Sequence, residues 1–508
     1  MNTNKIFGIA VAVILTGMLA GCSLDANEPQ GSTVTQRQYE DNMFSSEAHI
    51  RGLYKIMIEY SDHDEFGQKS IDIKTDMISS DMALTNVIYG WFADCGRLQA
   101  SHANSYFTHY VWNYYYTIIK NCNLIIATKG DAERLENPTT MEEQIKANYI
   151  GQAYAMRGLS YYSLSYYYSH NQKATVADNL LVNKCVPIYD ENTSDVEAQQ
   201  LATVEQVLNQ AEGDLVSAIT YLKNYNRESL TMIDKDVAKT MLAYLYLYRA
   251  RLYGRAEGNE TEKNTDANDA LTLCDEVIAT GKYPILPFAE VTTTGFNSVS
   301  SKNWMWGQDI TAETATGLGT FWGQVDIYTY SYAWAGDVKA IDNNLYADLK
   351  KHTTDERIKW WTESNKLAPT GKFYDSAKKL GGDRLWLNDI VFMRSEELYL
   401  IAAEAAYIKQ DYTAAQSYLK VLLEQRDPAR AAALPANADI EDEIYFNWRI
   451  EMWGEGKAYF TMQRFDKSRT RGSNHYYYNS GEVIAAYDER VCFEIPSTEI
   501  KYNPHLFE

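Results

Sequence analysis

A short stretch in the first fifth of the chain combines aromatic rings with hydrogen-bonding side chains. Residues 86–97 read NVIYGWFADCGR, and the two glycines indicate turns. An aromatic ring on a loop offers an apolar face that can stack on a sugar ring, and amide, carboxylate and guanidinium groups can hydrogen-bond the sugar hydroxyls. The side chains that we predict to make such contacts are Trp91, Phe92, Asn86, Asp94 and Arg97. The alternative is that Trp91 only fills the inner face of the fold.

A second aromatic stretch follows in the middle of the chain. Tyr328, Tyr330, Tyr332 and Trp334 occur at every second position. In an extended segment this spacing places all four rings on one side, where they would form a stacking platform. We therefore predict Tyr332 and Trp334 as further ligand-binding residues. The alternative is an aromatic edge that packs against a helix.

Catalytic motifs are missing from the sequence. It contains no G-x-x-x-x-G-K-[ST], no H-E-x-x-H, no G-x-S-x-G and no G-x-G-x-x-G. Residues 376–379 spell S-x-x-K, but the S-D-N and K-T-G motifs that would accompany it are absent. We predict that the protein is not an enzyme and uses no cofactor. A glycosidase carboxylate pair stays open as an alternative, because 68 acidic residues always allow one to be chosen.

Asp62, Asp64 and Glu65 supply the kind of oxygen ligand that calcium prefers. The stretch lacks the glycine and the terminal glutamate of the known calcium-binding loop. A solvated acidic turn is the simpler interpretation, so no metal site is predicted.

The formal net charge of −21 argues against nucleic-acid binding, because phosphate contacts need clustered lysine and arginine. None of the six cysteines forms a C-x-x-C pair, so a zinc or redox motif is not predicted. Apart from Cys22 the cysteines are scattered widely, which favours buried free thiols.

The elements that position these residues are mostly helical. Residues 388–426 predict a helix hairpin in which Asp411 is the N-cap of the second helix, and their small-residue rhythm resembles a tetratricopeptide unit. Thr140 with Glu143, and Thr203 with Gln206, form capping-box patterns. Successive amphipathic helices of similar length indicate a helical solenoid. Helices are predicted at about 36–60, from 104, after 140, after 203, and at about 237–252, 266–280 and 342–351.

The sequence changes character near Tyr283. From there to Leu387 helical periodicity is thin, which is typical of functional loops or of hidden short elements. We predict an N-terminal helical region at 36–282 and a C-terminal region at 283–508, with a loop-rich insert at 283–388. The predicted fold is mostly α: a tetratricopeptide-like solenoid that supports a loop-rich, aromatic-bearing ligand face.

The N-terminus has the build of a secretion signal. Lys5 precedes an apolar run from 6 to 20 that is too short to span a membrane. The run ends Leu-Ala-Gly-Cys22, which resembles the bacterial lipobox. We predict a signal peptide at 1–21, acylation of Cys22, and a polar tether at 22–35 that holds the protein on a membrane. The alternative is an ordinary cleaved signal peptide with Cys22 lost.

Motifs near the middle and the end of the chain resemble those of the SusD/RagB family, which are nutrient-binding lipoproteins of the Bacteroidetes cell surface. The pattern R-x-x-E-L-x-L-I-x-A-E-A begins at Arg394, and the tail resembles I-P-x-x-E-I followed by N-P-x-L. A second motif departs from the family at Asn447, Trp448, Ala458 and Thr461, where we interpret structural ion pairs as lost. Its matching residues are Glu451, Glu455, Gly456, Phe460 and Arg464.

The resemblance implies a function as well as a fold. It implies an outer-membrane, surface-exposed lipoprotein that captures an oligosaccharide without catalysis and delivers it to a SusC-like TonB-dependent transporter. It also implies that the Trp91 loop helps to form the glycan site. The alternatives are a lipid-anchored all-α glycoside hydrolase, a helical-repeat scaffold that binds only protein, and a peptide-handling RagB-like protein.

Overall fold

Helices follow one another through most of the chain in the computed structural model, which describes residues 43–170, 179–195, 199–382, 384–477 and 481–508, with side chains from Glu47 onward. The predicted signal peptide, the tether and Cys22 lie outside the described residues. The helices are α1 (Met43–Ile56), α2 (Gln68–Ile78), α3 (Ala93–Gly96), α4 (Tyr106–Ala127), α5 (Ala132–Glu136), α6 (Met141–Tyr167), α7 (Val204–Tyr221), α8 (Lys235–Tyr253), α9 (Glu260–Ile278), α10 (Phe288–Thr294), α11 (Phe321–Val325), α12 (Asn343–Lys350), α13 (Glu396–Ile408), α14 (Tyr412–Leu423), α15 (Pro428–Ala431), α16 (Ile440–Glu451), α17 (Ala458–Phe465) and α18 (Ser497–Tyr502).

Six short strands pair into three antiparallel two-stranded sheets within the described residues: β1 with β3, β2 with β4 and β5 with β6. The first sheet pairs Met82 with Ile341 and Leu84 with Lys339. It therefore joins a segment near the N-terminus to the loop-rich insert. The strands are β1 (Met82–Leu84), β2 (Trp304–Gln308), β3 (Lys339–Ile341), β4 (Ile390–Arg394), β5 (Arg469–Thr470) and β6 (Val483–Ile484).

The long helices pack on their neighbours in sequence, α6 on α7, α8 on α9 and α13 on α14. The connections within the second and third of these pairs are short, which makes their helices antiparallel, as in helical repeats. Residues 168–203 connect α6 to α7. The mostly α, solenoid-like fold that the sequence predicts is confirmed. The boundary at 282/283 stays a prediction; α9 and α13, one from each side of it, pack on each other.

Helix starts follow the capping rules that the sequence indicates. The Thr140 hydroxyl accepts from the Glu143 N–H while the Glu143 carboxylate accepts from the Thr140 N–H, and Thr203 and Gln206 form the same box. The Asp411 carboxylate accepts from the Ala414 N–H at the start of α14. The five cysteines of the described residues form no disulfide bond and are buried, as predicted.

The prediction that residues 390–394 begin a helix is wrong. They form β4, which pairs with β2 from Trp304–Arg394 to Gln308–Ile390, and the helix starts only at Glu396. A short apolar run does not distinguish helix from strand. The partner strand lies more than eighty residues earlier in sequence, so tertiary pairing decides.

The family-like motifs meet in a buried network of charges. Arg394 lies 2.8 Å from Glu455 and 3.0 Å from Glu451, and the carboxylate of Glu451 also contacts Arg357 and Arg426, each at 3.2 Å. Three guanidinium groups surround the Glu451 carboxylate, so this carboxylate is the centre of the network. Other members are Asp355, Lys372, Glu396 and Asn447.

Asn447 is one of the positions at which this chain departs from the family motif and at which we predicted that an ion pair is lost. Its side-chain oxygen accepts a 2.7 Å hydrogen bond from the Arg357 guanidinium. Trp448 beside it is buried, and the Arg464 guanidinium lies 5.0 Å from its ring. The departures from the family motif are therefore accommodated in the core.

The buried network predicts a loss of stability in acid. Burial by itself raises the pKa of Glu455, but the charges of Arg394 and Lys372 outweigh this effect and lower it to about 2 from an ordinary 4.5. A lowered carboxyl pKa stabilises the fold above the unfolded value, and the contribution is lost as the pH falls through the folded value. Between pH 4.5 and pH 2 we expect Glu455 alone to remove about 3 kcal/mol from the free energy of unfolding.

Urea unfolding followed by circular dichroism at a series of pH values measures this loss. Glu455→Gln is the matched variant, because it removes the titrating group. The variant is expected to be less stable at pH 7 and to lose less stability than the wild type below pH 4.5. A wild-type unfolding midpoint that does not move in this range would contradict the prediction.

Candidate functional site

The loop that bears Trp91 is held by the β1–β3 sheet and by one carboxylate beside it. Asp337, just before β3, accepts hydrogen bonds from the backbone N–H groups of Ile88 at 2.8 Å and Tyr89 at 3.3 Å. Asp337 itself is 3% exposed. A buried carboxylate that caps two backbone donors fixes the path of the loop.

Trp91 and Phe92 point in opposite directions. Trp91 is half-buried, whereas Phe92 is fully buried and has a left-handed backbone with φ 62° at the start of α3. The Phe92 ring lies 5.0 Å from the ammonium of Lys339 and 5.8 Å from that of Lys74. The prediction that Phe92 offers its ring to a ligand is wrong, because the turn directs this side chain into the core.

Trp91 lies at the edge of an open cleft of about 740 Å³ between the loop, the acidic turn 62–65 and the start of α4. Asp94 and Arg97 line the same cleft, so three of the predicted loop residues come together. The other lining residues are Asp62, Asp64, Glu65, Lys74, Gly90, Ala93, Gln99, His102, Asn104, Ser105 and Tyr106.

Sequence reasoning missed Tyr106, the first residue of α4. It is 86% exposed and lines the same cleft as the acidic turn. The available signal was its position: it precedes the apolar stripe of α4, which begins at the buried Phe107. An aromatic residue off the buried face of a helix is a candidate for binding.

The polar groups of the cleft are partly engaged with the protein. The Asp94 carboxylate accepts from the Cys95 N–H at 2.8 Å. The Arg97 guanidinium stacks 4.5 Å from the Tyr477 ring and donates to its hydroxyl at 2.7 Å. Both side chains keep further hydrogen-bonding capacity toward the cleft, because a carboxylate has about four acceptor sites and a guanidinium five donors.

Asn86 is not among the residues that line the cleft. Its side-chain oxygen accepts a 3.0 Å hydrogen bond from the N–H of Val87 and so shapes the start of the loop. Its predicted contact with a ligand stays a prediction.

The four alternating aromatic residues do not form a one-sided ribbon, and that prediction is wrong. Residues 327–336 turn repeatedly, with the Ala335 N–H bonded to the Ser331 carbonyl and the Asp337 N–H to the Tyr332 carbonyl. Tyr332 is 8% exposed whereas Trp334 is 45% exposed. Period-two spacing places rings on one side only in an extended strand.

Tyr332 and Trp334 nevertheless adjoin the cleft loop in different ways. The ring of Tyr332 lies 5.1 Å from that of Tyr89 and 5.5 Å from that of His63. The His63 ring in turn lies 5.1 Å from that of Trp91. Tyr332 is thus linked to Trp91 through the His63 ring that lies near both.

Trp334 lies at the surface beside Tyr330, with ring centroids 5.3 Å apart. Ile88 and Tyr89 of the cleft loop are each 52% exposed, and Ile88 lies against Gly336. The exposed aromatic side chains therefore extend from the loop onto the neighbouring turn.

The buried side chain of Lys339, on β3, connects several of the segments around the cleft loop. Its ammonium donates to the Gln324 side chain at 2.8 Å and to the Asp337 carbonyl at 3.2 Å, and Gln324 donates to the His63 carbonyl. Burial lowers the pKa of Lys339 to about 7, against the opposing effect of Asp337 and Asp64. One side chain thereby ties together α11, the acidic turn and β3.

The acidic turn 62–65 is held together by hydrogen bonds within its own backbone and by an ion pair with Lys74. Glu65 and Asp62 exchange backbone hydrogen bonds, and the Asp64 carboxylate lies 3.5 Å from the ammonium of Lys74. Among the described residues no three His, Cys, Asp or Glu side chains are grouped to hold a metal ion.

Removing the Asp337 carboxylate is expected to loosen the loop. For Asp337→Ala we expect a fivefold to tenfold weaker affinity for any ligand held by Trp91, because about 1 kcal/mol must be spent on ordering the loop. Lys339 tolerates the loss, since its lowered pKa lets it become neutral. Calorimetric titration measures the affinity, and Asp337→Asn, which keeps one acceptor oxygen, is the intermediate control. Unchanged affinity in both variants would contradict the prediction.

The solenoid and its open aromatic cleft define a class of helical binding proteins, and comparison with known proteins agrees. Residues 319–506 match the model of the SusD family, and residues 24–247 match a SusD-like model described as starch-binding and associating with the outer membrane. A search of curated proteins gave no significant match. The chain belongs to the SusD/RagB family.

Solved structures share the fold at low sequence identity. A SusD-like carbohydrate-binding protein from Bacteroides vulgatus ATCC 8482 is 21% identical with a TM-score of 0.73, over 92% of this chain and 97% of that one. A SusD superfamily protein from Bacteroides thetaiotaomicron VPI-5482 is 18% identical with a TM-score of 0.71, over 92% and 99%. One from Bacteroides fragilis is 18% identical with a TM-score of 0.69 over the same shares. In the part of the chain that the structure describes, no helix is long and apolar enough to cross a membrane.

Proposed function

We propose that this protein captures an oligosaccharide at the outer membrane without catalysis and hands it to a SusC-like TonB-dependent transporter. The observation that supports this most is the cleft, in which the partly buried Trp91 and the exposed Tyr106 stand beside hydrogen-bonding side chains. Membership of a family whose model is described as starch-binding agrees with it.

Capture in this cleft combines stacking with hydrogen bonds. The Trp91 ring packs beside the His63 ring, which in turn contacts Tyr332, so Trp91 is held in place before a sugar arrives. A preorganised ring spends little entropy on binding. Asp94 and Arg97 hydrogen-bond hydroxyl groups, which an oligosaccharide presents around its rim.

The exposed rings beside the cleft extend the site for longer chains. Tyr89 of the loop is exposed and its ring contacts Tyr332, and Trp334, two residues further along the chain, is exposed beside Tyr330. A ligand of several sugar units would reach from the cleft onto this surface. Trp334 therefore contributes to the binding of long oligosaccharides and little to that of short ones.

Anchoring depends on Cys22, which is proposed to carry acyl chains after removal of residues 1–21. Two or more acyl chains hold a protein on a membrane stably, whereas one does not. For Cys22→Ser we expect the protein to leave the membrane fraction, as measured by immunoblotting of fractionated cells. Ser23→Ala is the control and is expected to stay membrane-bound. A Cys22→Ser protein that remains in the membrane fraction would contradict the anchor.

The first experiment is native affinity electrophoresis of the protein from Ser23 onward against plant, host and microbial glycans. Retardation by one glycan that Trp91→Ala removes supports capture and assigns the cleft. Release of sugar by the purified protein would favour the hydrolase alternative. No retardation by any glycan would favour a scaffold or a peptide-handling role.

The transporter partner is tested separately. Affinity purification of the intact lipoprotein from detergent-solubilised outer membranes is expected to retain a TonB-dependent transporter. Purification without any such transporter would contradict the delivery step and leave capture as the whole function.

A further inference from the structure

The cleft carries an uneven set of charges. Four of its lining side chains are carboxylates, those of Asp62, Asp64, Glu65 and Asp94. Against them stand two strong cations, and Lys74 is buried beside Asp64 at 3.5 Å. Arg97 is therefore the one cation among the lining residues that is exposed to the cleft, and it is stacked on Tyr477.

The carboxylates already repel each other. Burial raises the pKa of Glu65. The charge of Lys74 and a hydrogen bond from Ser61 lower this pKa, whereas the negative charges of Asp64 and Asp62 raise it. A ligand that brings another negative charge into this cleft meets the carboxylates of Asp64, Glu65 and Asp94, which are partly removed from water. Like charges interact strongly in such surroundings. An uncharged sugar meets only hydrogen-bond acceptors there.

Resting on the proposed function, we propose that the cleft selects glycans that carry no carboxylate, sulfate or phosphate group, and that it favours sugars with a free amine. The acidic turn 62–65 is the specificity-determining element, because it contributes three carboxylates to the cleft that Trp91 and Tyr106 also line. The stacking rings supply affinity for any sugar ring, and the acidic turn rejects the charged ones.

The test uses matched pairs of ligands that differ only in charge. Amylose, mannan and galactan oligosaccharides are each titrated before and after oxidation of their primary hydroxyls to carboxylates. Chitin oligosaccharides are compared in the same way with their deacetylated forms. At about 50 mM salt we expect oxidation to weaken binding about tenfold and deacetylation to strengthen it, and we expect both differences to shrink near 1 M salt because the charges are screened.

Variants separate the charge effect from a lost hydroxyl contact. Asp62→Asn and Glu65→Gln keep the shape of the side chains. In these variants we expect the affinity for the unmodified glycan to be close to the affinity for its oxidised form. Glu257→Gln, which removes an exposed carboxylate between α8 and α9, changes the net charge equally and is expected to leave the difference between these two affinities unchanged.

The outcomes distinguish this inference from the function on which it rests. Binding that requires Trp91 but does not distinguish the two members of a pair overturns the selection and leaves glycan capture standing. Binding of an acidic glycan alone, such as polygalacturonate, also overturns the selection. Binding of none of these glycans overturns both proposals.

Discussion

Replacing Glu451 with glutamine is expected to lower the free energy of unfolding by about 3–5 kcal/mol. The Glu451 carboxylate faces Arg357, Arg394 and Arg426, and all four side chains are fully buried. A neutral amide leaves three buried cations short of one negative charge. Breaking a buried pair in this way costs far more than the intact pair contributes, because the remaining charge has lost its water.

Urea unfolding at pH 7 measures the effect. Glu424→Gln is the matched control: it removes a glutamate from an exposed pair with Lys420 at 3.8 Å on one helix, and we expect a change under about 0.5 kcal/mol. A Glu451→Gln protein that is as stable as the control variant would show that the network does not hold the fold together. Complete failure of the variant to fold agrees with the prediction.

Replacing Trp91 with alanine is expected to weaken glycan binding about thirtyfold, which corresponds to about 2 kcal/mol for the loss of a central aromatic contact. The Trp91 ring offers an apolar face to the cleft, and the His63 ring lies 5.1 Å from it. Trp91 is only partly buried, so the fold is expected to remain intact without its ring.

Calorimetric titration with the glycan found by electrophoresis measures the loss, and circular dichroism checks the fold. Tyr253→Ala, on α8 outside the cleft, is the control and is expected to bind like the wild type. Trp334→Ala is expected to weaken long oligosaccharides several-fold and to leave short ones unchanged. Full binding by Trp91→Ala would place the glycan site elsewhere on the protein.

The sequence by itself determined the long helices and the order of the family motifs. Capping boxes at Thr140 and Thr203 and long 3.6-residue periodicity are local properties, so they survive whatever packs against them. The family resemblance likewise follows from short motifs whose order in the chain is fixed. These features predicted the fold class and led to the family.

Only the tertiary structure decided which aromatic rings face solvent. Trp91 and Phe92 are neighbours of the same chemical type, yet a left-handed turn and the Asp337 cap direct one toward the cleft and the other into the core. Tyr332 and Trp334 separate because their segment turns on itself. Tyr106 joins the cleft because α4 begins beside the acidic turn. For the loop residues, exposure depends on partners hundreds of residues away in sequence, so no local pattern could assign it; for Tyr106 the position before the apolar stripe of α4 was the one local signal.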